Sequence, residues 1–331
     1  MKSVSAANGK MSMNTARRLN SNSLIVSRAF QSDEDFLKVR NLLIETYPIT
    51  PVDFNWDIRR WDGWRFYNKD VSFKTAWAEQ VRLWETQDGR LVGAAHADGP
   101  GNAQLEIHPD FRPYIEEEML IWCENHLTAP SEEGRPRRLS MAVFEYDSPR
   151  RRLMAGHGFE KTEGYSVSRR MRFGSRPLPE PDLASGYHLR TTRPGDRSDC
   201  QRIANILNAS FKRTFHNAEE FYNFSTHSPS FNHELDLAAE VQDGSFAAYV
   251  GITYDETNRR GIFEPVCTHP DHLRLGLARS LMFAGLHRLK ALGATDVYVS
   301  TGDMIPANAL YEAVGFTEAY AGYEWVKVMQ A

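Results

Sequence analysis

The 331 residues, at 37.8 kDa, exceed what one ordinary hydrophobic core supports, so length alone predicts two domains of about 150 residues each. A hydrophobic fraction of 41% with 18 Phe, 13 Tyr and 7 Trp excludes disorder across the whole chain. The net charge of −4 excludes a global attraction to nucleic acid or anionic lipid, and any polyanion must be held locally.

Residues 1–23 carry Lys2, Lys10, Arg17 and Arg18 with no acid, among many Ser and Asn. They read as a disordered tail, with an organelle transit peptide as the competing reading. No apolar run approaches the roughly 18 to 20 residues that span a bilayer, and no signal sequence opens the chain. Cys123, Cys200 and Cys267 are odd in number and far apart, so they form neither a disulfide framework nor a CxxC half-site. The expectation is a cytoplasmic protein that binds neither membrane nor nucleic acid.

Gly174 to Gly186 holds three prolines between patterned segments and marks a linker over 174–186. It separates residues 24–173 from residues 187–331. The two halves share landmarks in the same order, the trace of a duplication. Gln87-Asp88-Gly89 returns as Gln242-Asp243-Gly244, His108-Pro109-Asp110 as His269-Pro270-Asp271, and Leu153 with Gly158-Phe159 as Leu310 with Gly315-Phe316. Each half opens with a short strand running into a helix, and the Asp-Gly pairs at 88–89 and 243–244 read as hairpin turns. In the second half a strand over 261–268 leads through a loop into a helix from about Leu277. Gly293 is placed to end that helix, and 296–300 is another strand. The last two strands of this unit should pair in parallel, which makes the sheet mixed and the fold class α/β.

The segment from His269 to Arg279, HPDHLRLGLAR, puts Gly276 and Ala278 where strand becomes helix. Small residues there let main-chain N–H groups converge on a pyrophosphate without cationic side chains, although small residues also occur at helix starts for packing. Neither GxGxxG, GxxxxGK[ST] nor GxSxG occurs. The 273–278 segment resembles the phosphate-binding signature of the GNAT acetyltransferase superfamily: Gln or Arg, two residues, Gly, one residue, then Gly or Ala. Asn308 to Phe316, NALYEAVGF, resembles that superfamily's C-terminal segment. The resemblance covers 187–331 clearly and 24–173 in outline, and tandem organisation occurs in the superfamily. Two departures stand out: Leu273 with Arg274 beside it occupies the usual Gln/Arg position, and Met304 stands where Asn is frequent.

The resemblance implies two tandem GNAT-like domains and acetyl-CoA as cosubstrate, with no metal. The pyrophosphate would lie over Arg274, Leu275, Gly276, Leu277, Ala278 and Arg279, and the pantetheine arm along Val266, Cys267 and Thr268. Pro265 lacks an N–H and weakens pairing where two strands must part. Transfer to an amine needs a base for an ammonium of pKa about 10.4 and an acid for a thiolate of pKa about 8.5. Tyr311 stands at the superfamily's general-acid position, with aromatic packing as its alternative. Glu264 is the candidate base, with a solvent-facing strand glutamate as its alternative. Asn308 either contacts the cofactor or caps the helix that carries Tyr311. His269 and His272 find no further ligand to make a zinc set. Cys267 reads as a small buried strand residue rather than a nucleophile.

Aligned at His-Pro-Asp, Ile115 and Glu117 replace Gly276 and Ala278, and Met154 replaces Tyr311. The first half therefore reads as a degenerate acetyltransferase domain. Its tryptophans Trp56, Trp61, Trp64, Trp77 and Trp84, interleaved with Asp57, Arg59, Arg60 and Asp62, form either a recognition surface or aromatic core packing. Arg135, Arg137, Arg138 and Arg150 to Arg152 read as a solvated charged edge. Phe215 to Asn223 lies in the region that often lines the acceptor site in this superfamily. The functional expectation is acetyl transfer to an amine of a small molecule or peptide by direct attack. The alternatives are an acyl-CoA-binding sensor and a scaffold.

Overall fold

The computed structural model describes residues 25–68, 79–130, 136–175 and 177–329, so the tail over 1–23, Trp77 and Arg135 lie outside the described residues. The first half runs β1 (Ile25–Ala29), α1 (Asp33–Thr46), α2 (Ile58–Phe66), β2 (Val81–Thr86), β3 (Leu91–Ala97) and β4 (Ala103–Ile107). It continues with α3 (Arg112–His126), β5 (Ala129–Pro130), β6 (Arg137–Phe144), α4 (Ser148–Gly156) and β7 (Glu160–Arg172). The second half runs β8 (His188–Thr191), α5 (Arg197–Phe211), α6 (Ala218–His227), β9 (Asp236–Glu240), β10 (Phe246–Asp255) and β11 (Arg260–Thr268). It ends with α7 (Leu277–Ala291), β12 (Asp296–Gly302), α8 (Ile305–Val314) and β13 (Glu318–Val328).

Local chemistry sets these boundaries. Asp57 accepts the Arg60 N–H at the start of α2, and Asp196 accepts the N–H groups of Ser198 and Asp199 at the start of α5. Gly89 and Gly244 adopt φ of +82° and +84° in the two hairpins, a left-handed turn that side chains disfavour. β11 and β12 pair in parallel between antiparallel hairpins, which makes the sheet mixed as expected. No described helix is long and apolar enough to cross a membrane.

The halves share strands. β1 to β4 form one antiparallel sheet, and the remaining strands form a nine-stranded sheet in the order β5-β6-β13-β7-β12-β11-β10-β9-β8. By position in the repeat β7 matches β13, and β6 matches β12. Yet β7 lies against β12 of the second half, while β13 lies against β6 of the first. The last strands have changed places and pair with each other in the middle. A core crosses the same boundary: Trp61, Leu83 and Phe36 pack in one cluster with Phe224, Ile262 and Tyr298. Linker residues Leu178 and Leu183 pack on the core beneath α7, and His287 Nε2 bonds the Pro179 carbonyl at 3.0 Å.

Two expectations need revision. Trp61 and Trp84 are core residues, and Trp61 stacks on Trp64 at 5.0 Å, but Trp56 lines a cavity with Arg60 4.6 Å over its ring. Core packing therefore holds for Trp61 and Trp84, while Trp56 faces a cavity. Arg150 is no solvated edge: it is buried, and its Nε bonds Glu116 at 2.7 Å. Its neighbour Arg152 remains exposed.

Candidate active site

The site begins where two parallel strands separate. β11 and β12 pair from Arg260–Asp296 to Phe263–Val299, and the pairing stops there, two residues before Pro265. On its other side β11 stays paired with β10 through Thr268. The His269 N–H donates to the Ala247 carbonyl at 2.9 Å. Antiparallel alternation then turns the Cys267 amide toward β10 and the amides of Val266 and Thr268 away from it, toward the opening. Opposite the opening, β10 bulges between Val250 and Ile252. A Cβ on Gly251 would stand 2.8 Å from Arg59 Nη2 and 2.8 Å from the Glu264 carbonyl, so the bulge requires glycine.

Beyond β11 the chain makes the turn that the sequence singled out. Arg274 and Gly276 adopt φ of +64° and +74°, and α7 starts at Leu277. Leu273, Arg274, Leu275 and Arg279 are exposed, whereas Leu277 and Ala278 are buried. The first hydrogen bond of the helix start is Ser280 N–H to the Gly276 carbonyl. The N–H groups of residues 274–279 donate to no acceptor among the described residues. A Cβ at Gly276 would find only Arg279 Nη2, at 3.6 Å. The turn is thus neither filled by its own side chains nor spent on internal hydrogen bonds, and its bare amides at a helix start suit an anionic diphosphate.

Tyr311 projects from α8 into the second-half core, is 5% exposed, and packs on Phe316 at 6.3 Å. Burial, with the nearby Cys267 and Glu264, raises its phenol pKa further, so the group is protonated at neutral pH. Cys267 is buried and its thiol is pushed up to about 12 by burial, which is inert rather than nucleophilic chemistry. Asn308 bonds the carbonyls of Gly302 and Met304 at 3.1 Å, and its Oδ1 accepts from Arg169 Nε of β7 at 2.9 Å. Met304, not Asn308, occupies the cap position, and the Asn308 amide is committed at both ends within the protein.

Glu264 makes no hydrogen bond or ion pair with any described residue. Its open surface is part of the wall of a cavity of about 640 Å³. Glu264 itself is exposed, as a solvent-facing strand glutamate would be; crowding by the surrounding protein, followed by the charge of Asp57, raises its pKa, and Arg59 and Arg60 pull it back. The other walls come mostly from the first half: Asp53, Trp56, Asp57 and Arg60 before and on α2, with Asp98 and Glu106 on the adjoining hairpin. The second half adds Tyr298, Ser300 and Arg213. None of residues 215–223 lines this cavity; Asn217 caps α6 within that stretch. Asp53 carries its own network, accepting from the Tyr298 hydroxyl at 2.5 Å and from Ser168 of β7. The sequence signal for this wall was the charge-interleaved tryptophan cluster, which gave no direction for the side chains.

A mixed sheet that opens where the parallel pairing of β11 and β12 ends, beside a helix start with bare amides, defines a GNAT-type α/β fold. The sequence pattern described as "Acetyltransferase (GNAT) family" matches residues 200–316, so the second half carries a GNAT acetyltransferase domain. It is 27% identical over 263 residues to a mycothiol acetyltransferase of Streptomyces bingchenggensis (strain BCW-1), covering 71% of this chain and 77% of that one. Among solved structures it is similar to a GCN5-related N-acetyltransferase from Sphaerobacter thermophilus, with TM-score 0.61 and 19% identity, covering 93% of this chain and 96% of that one. A tandem GNAT protein from the clavulanic acid biosynthesis pathway gives TM-score 0.63 at 16% identity, covering 93% and 99%. These structural likenesses concern the fold.

Proposed function

We propose that this chain is an N-acetyltransferase whose second half carries acetyl from acetyl-CoA to an amine on a small molecule or peptide. The observation that carries the reading is the run of bare amides at 274–279, at the end of a strand whose pairing has opened on one side. Those amides hold the pyrophosphate, and the Val266 and Thr268 amides, turned into the opening, hold the pantetheine arm and polarise the carbonyl. The bound cosubstrate supplies an acyl group activated as a thioester.

The residues of the chain then manage protons. Glu264, on the cavity wall and unpaired, accepts a proton from the ammonium, directly or through water. Its raised pKa brings it closer to the neutral range in which a base works best. Tyr311, held protonated by burial, donates its hydroxyl proton to the departing sulfur. One amide bond forms, one thioester bond breaks, and one net proton is released to solvent. The acceptor enters through the cavity between the halves, where Asp57, Asp98, Glu106, Glu264 and Glu324 favour a cationic amine.

Calorimetric titration with acetyl-CoA, followed by thiol release in a panel of primary amines, tests the reading. The Streptomyces relative is named for mycothiol acetylation, so mycothiol-type amines head the panel. Binding with turnover of at least one amine is the expected result. Absence of binding ends the proposal, and binding without turnover of any amine favours an acyl-CoA sensor.

A further inference from the structure

Among the described residues four arginines are buried: Arg59, Arg65, Arg150 and Arg260. Three have a carboxylate within ion-pair distance, Asp33 at 2.7 Å, Glu116 at 2.7 Å and Asp255 at 3.7 Å respectively. Arg59 has none among the described residues. It is 3% exposed, donates to Thr253 Oγ1 and to the Tyr67 hydroxyl at 3.2 Å each, and lies 4.8 Å over the Phe224 ring. Its Nε has no partner among the described residues. Taking a guanidinium out of water costs several kcal/mol, and neutral hydroxyls and a ring face offset only part of that.

The position of this cation is informative. Arg59 Nη2 and the Glu264 carbonyl each stand 2.8 Å from the point that a Cβ on Gly251 would occupy, so the guanidinium and the main chain of the residue that carries the candidate base flank the same bulge. The acid on β9, Asp236, also faces Arg59, but its oxygens are taken by the hydroxyls of Tyr249, at 2.7 Å, and Thr192. Glu264 is the neighbouring carboxyl left without a hydrogen bond. Around it stand Asp57 at the start of α2 and Arg60 on it, Asp53 from the preceding loop, Tyr67 and Tyr311, with Tyr298 and Arg213 on the same cavity wall.

We propose that Arg59 is a positioning residue for the reaction: a buried cation supplied by the first half that keeps the Glu264 carboxylate charged, so that the second half is incomplete without the first. Desolvation and Asp57 favour the protonated acid, and Arg59, with Arg60, opposes them. The proposal rests on Glu264 acting as the base.

The pH profile of kcat/KM for the full chain tests it. Arg59→Gln keeps hydrogen-bonding capacity toward Thr253 and Tyr67 and removes the charge. Its acid limb is expected to move up by about one pH unit or more, with kcat/KM recovering at higher pH, and Arg59→Lys is expected to restore the limb. An acid limb that stays in place while the rate falls evenly at every pH overturns the proposal. Infrared titration of the Glu264 carboxyl, assigned against Glu264→Gln, reads the same shift without turnover. Acetyl-CoA titration and thermal unfolding identify a variant that has failed to fold, in which case Arg59→Met replaces it. If Glu264→Gln itself leaves turnover unchanged, the base assignment has failed; if it abolishes turnover and Arg59→Gln leaves the limb in place, only the present inference has.

Discussion

The two halves answer the same structural question differently after their His-Pro-Asp landmarks. In the first half α3 starts at Arg112, four residues past His108, whereas α7 starts at Leu277, eight residues past His269. The earlier start converts the turn into helix and spends its amides: Tyr114 N–H already bonds the Phe111 carbonyl at 3.0 Å. Where the second half has small residues and bare N–H groups, the first has Glu116 clamped between Arg112 at 2.6 Å and Arg150 at 2.7 Å. Met154, fully buried, fills the place of Tyr311. The first half has become self-satisfied at the point where the second remains open, and its contribution has moved to the cavity wall and the exchanged strand.

The sharpest way to break this contrast is to exchange chemistry at matched positions. Tyr311→Phe and Glu264→Gln should each lower kcat by about 10²- to 10⁴-fold, the range for a lost general acid or base. Met154→Leu, at the matched core position, should leave kcat unchanged. Steady-state assays with a productive amine check this, and a Tyr311→Phe enzyme with intact turnover removes the acid assignment.

How much of this contrast the sequence revealed depends on how local each feature is. The turn at 274–279 and the helix bearing Tyr311 are written in consecutive residues, Gly276 and Ala278 in one run and Asn308 to Phe316 in another, so both were legible. The Ile115 and Glu117 replacements were equally plain. The exchange of β7 and β13 was not, because an alternating strand such as Glu160–Arg172 shows that it will pair and not with which partner. Arg150 looked like part of a basic edge because its partner, Glu116, lies on another helix. Asp53 to Arg60 announced a charged aromatic cluster, but only the tertiary fold sends Trp61 into the core and Trp56, Asp57 and Arg60 to the cavity.

Glu116→Ala tests the first half's self-satisfaction. It leaves the buried Arg150 with only the Asp147 carboxylate at 3.7 Å, and breaking a buried pair of this kind costs about 3 kcal/mol. Chemical denaturation should show that loss, while the acetyl-CoA dissociation constant stays at its wild-type value. A parallel loss of acetyl-CoA affinity would mean that the first half still holds the cofactor. Gly276→Ala comes next in size. A left-handed alanine costs about 1 to 2 kcal/mol, and relief of that strain would reorient the amides, so acetyl-CoA should bind about tenfold more weakly. Gly89→Ala has a similar φ of +82° with open space around it, and should cost similar stability without affecting acetyl-CoA. Titration of both variants separates ligand binding from backbone strain.

The smallest effect concerns Asp53, where the halves meet through Ser168 of β7 and Tyr298 of β12. Burial pushes its carboxyl up to about 6, against the opposing pull of those two hydroxyl hydrogen bonds. A folded-state pKa above the ordinary value of 3.8 means that the folded protein binds this proton more readily than the unfolded chain. The resulting stability is fully present below about pH 4 and is lost as pH rises through about 6. At pH 7 the junction therefore holds a charge it would be more stable without. Asp53→Asn removes that charge and keeps an oxygen acceptor at a φ of +58°, a conformation asparagine tolerates well. The variant should melt a few degrees higher than the wild type at pH 7, with the gap closing as the buffer is taken to pH 4. A variant that melts lower at both pH values would show that the carboxylate's hydrogen bonds to Ser168 and Tyr298 outweigh its desolvation, and that the two halves are joined by this charge.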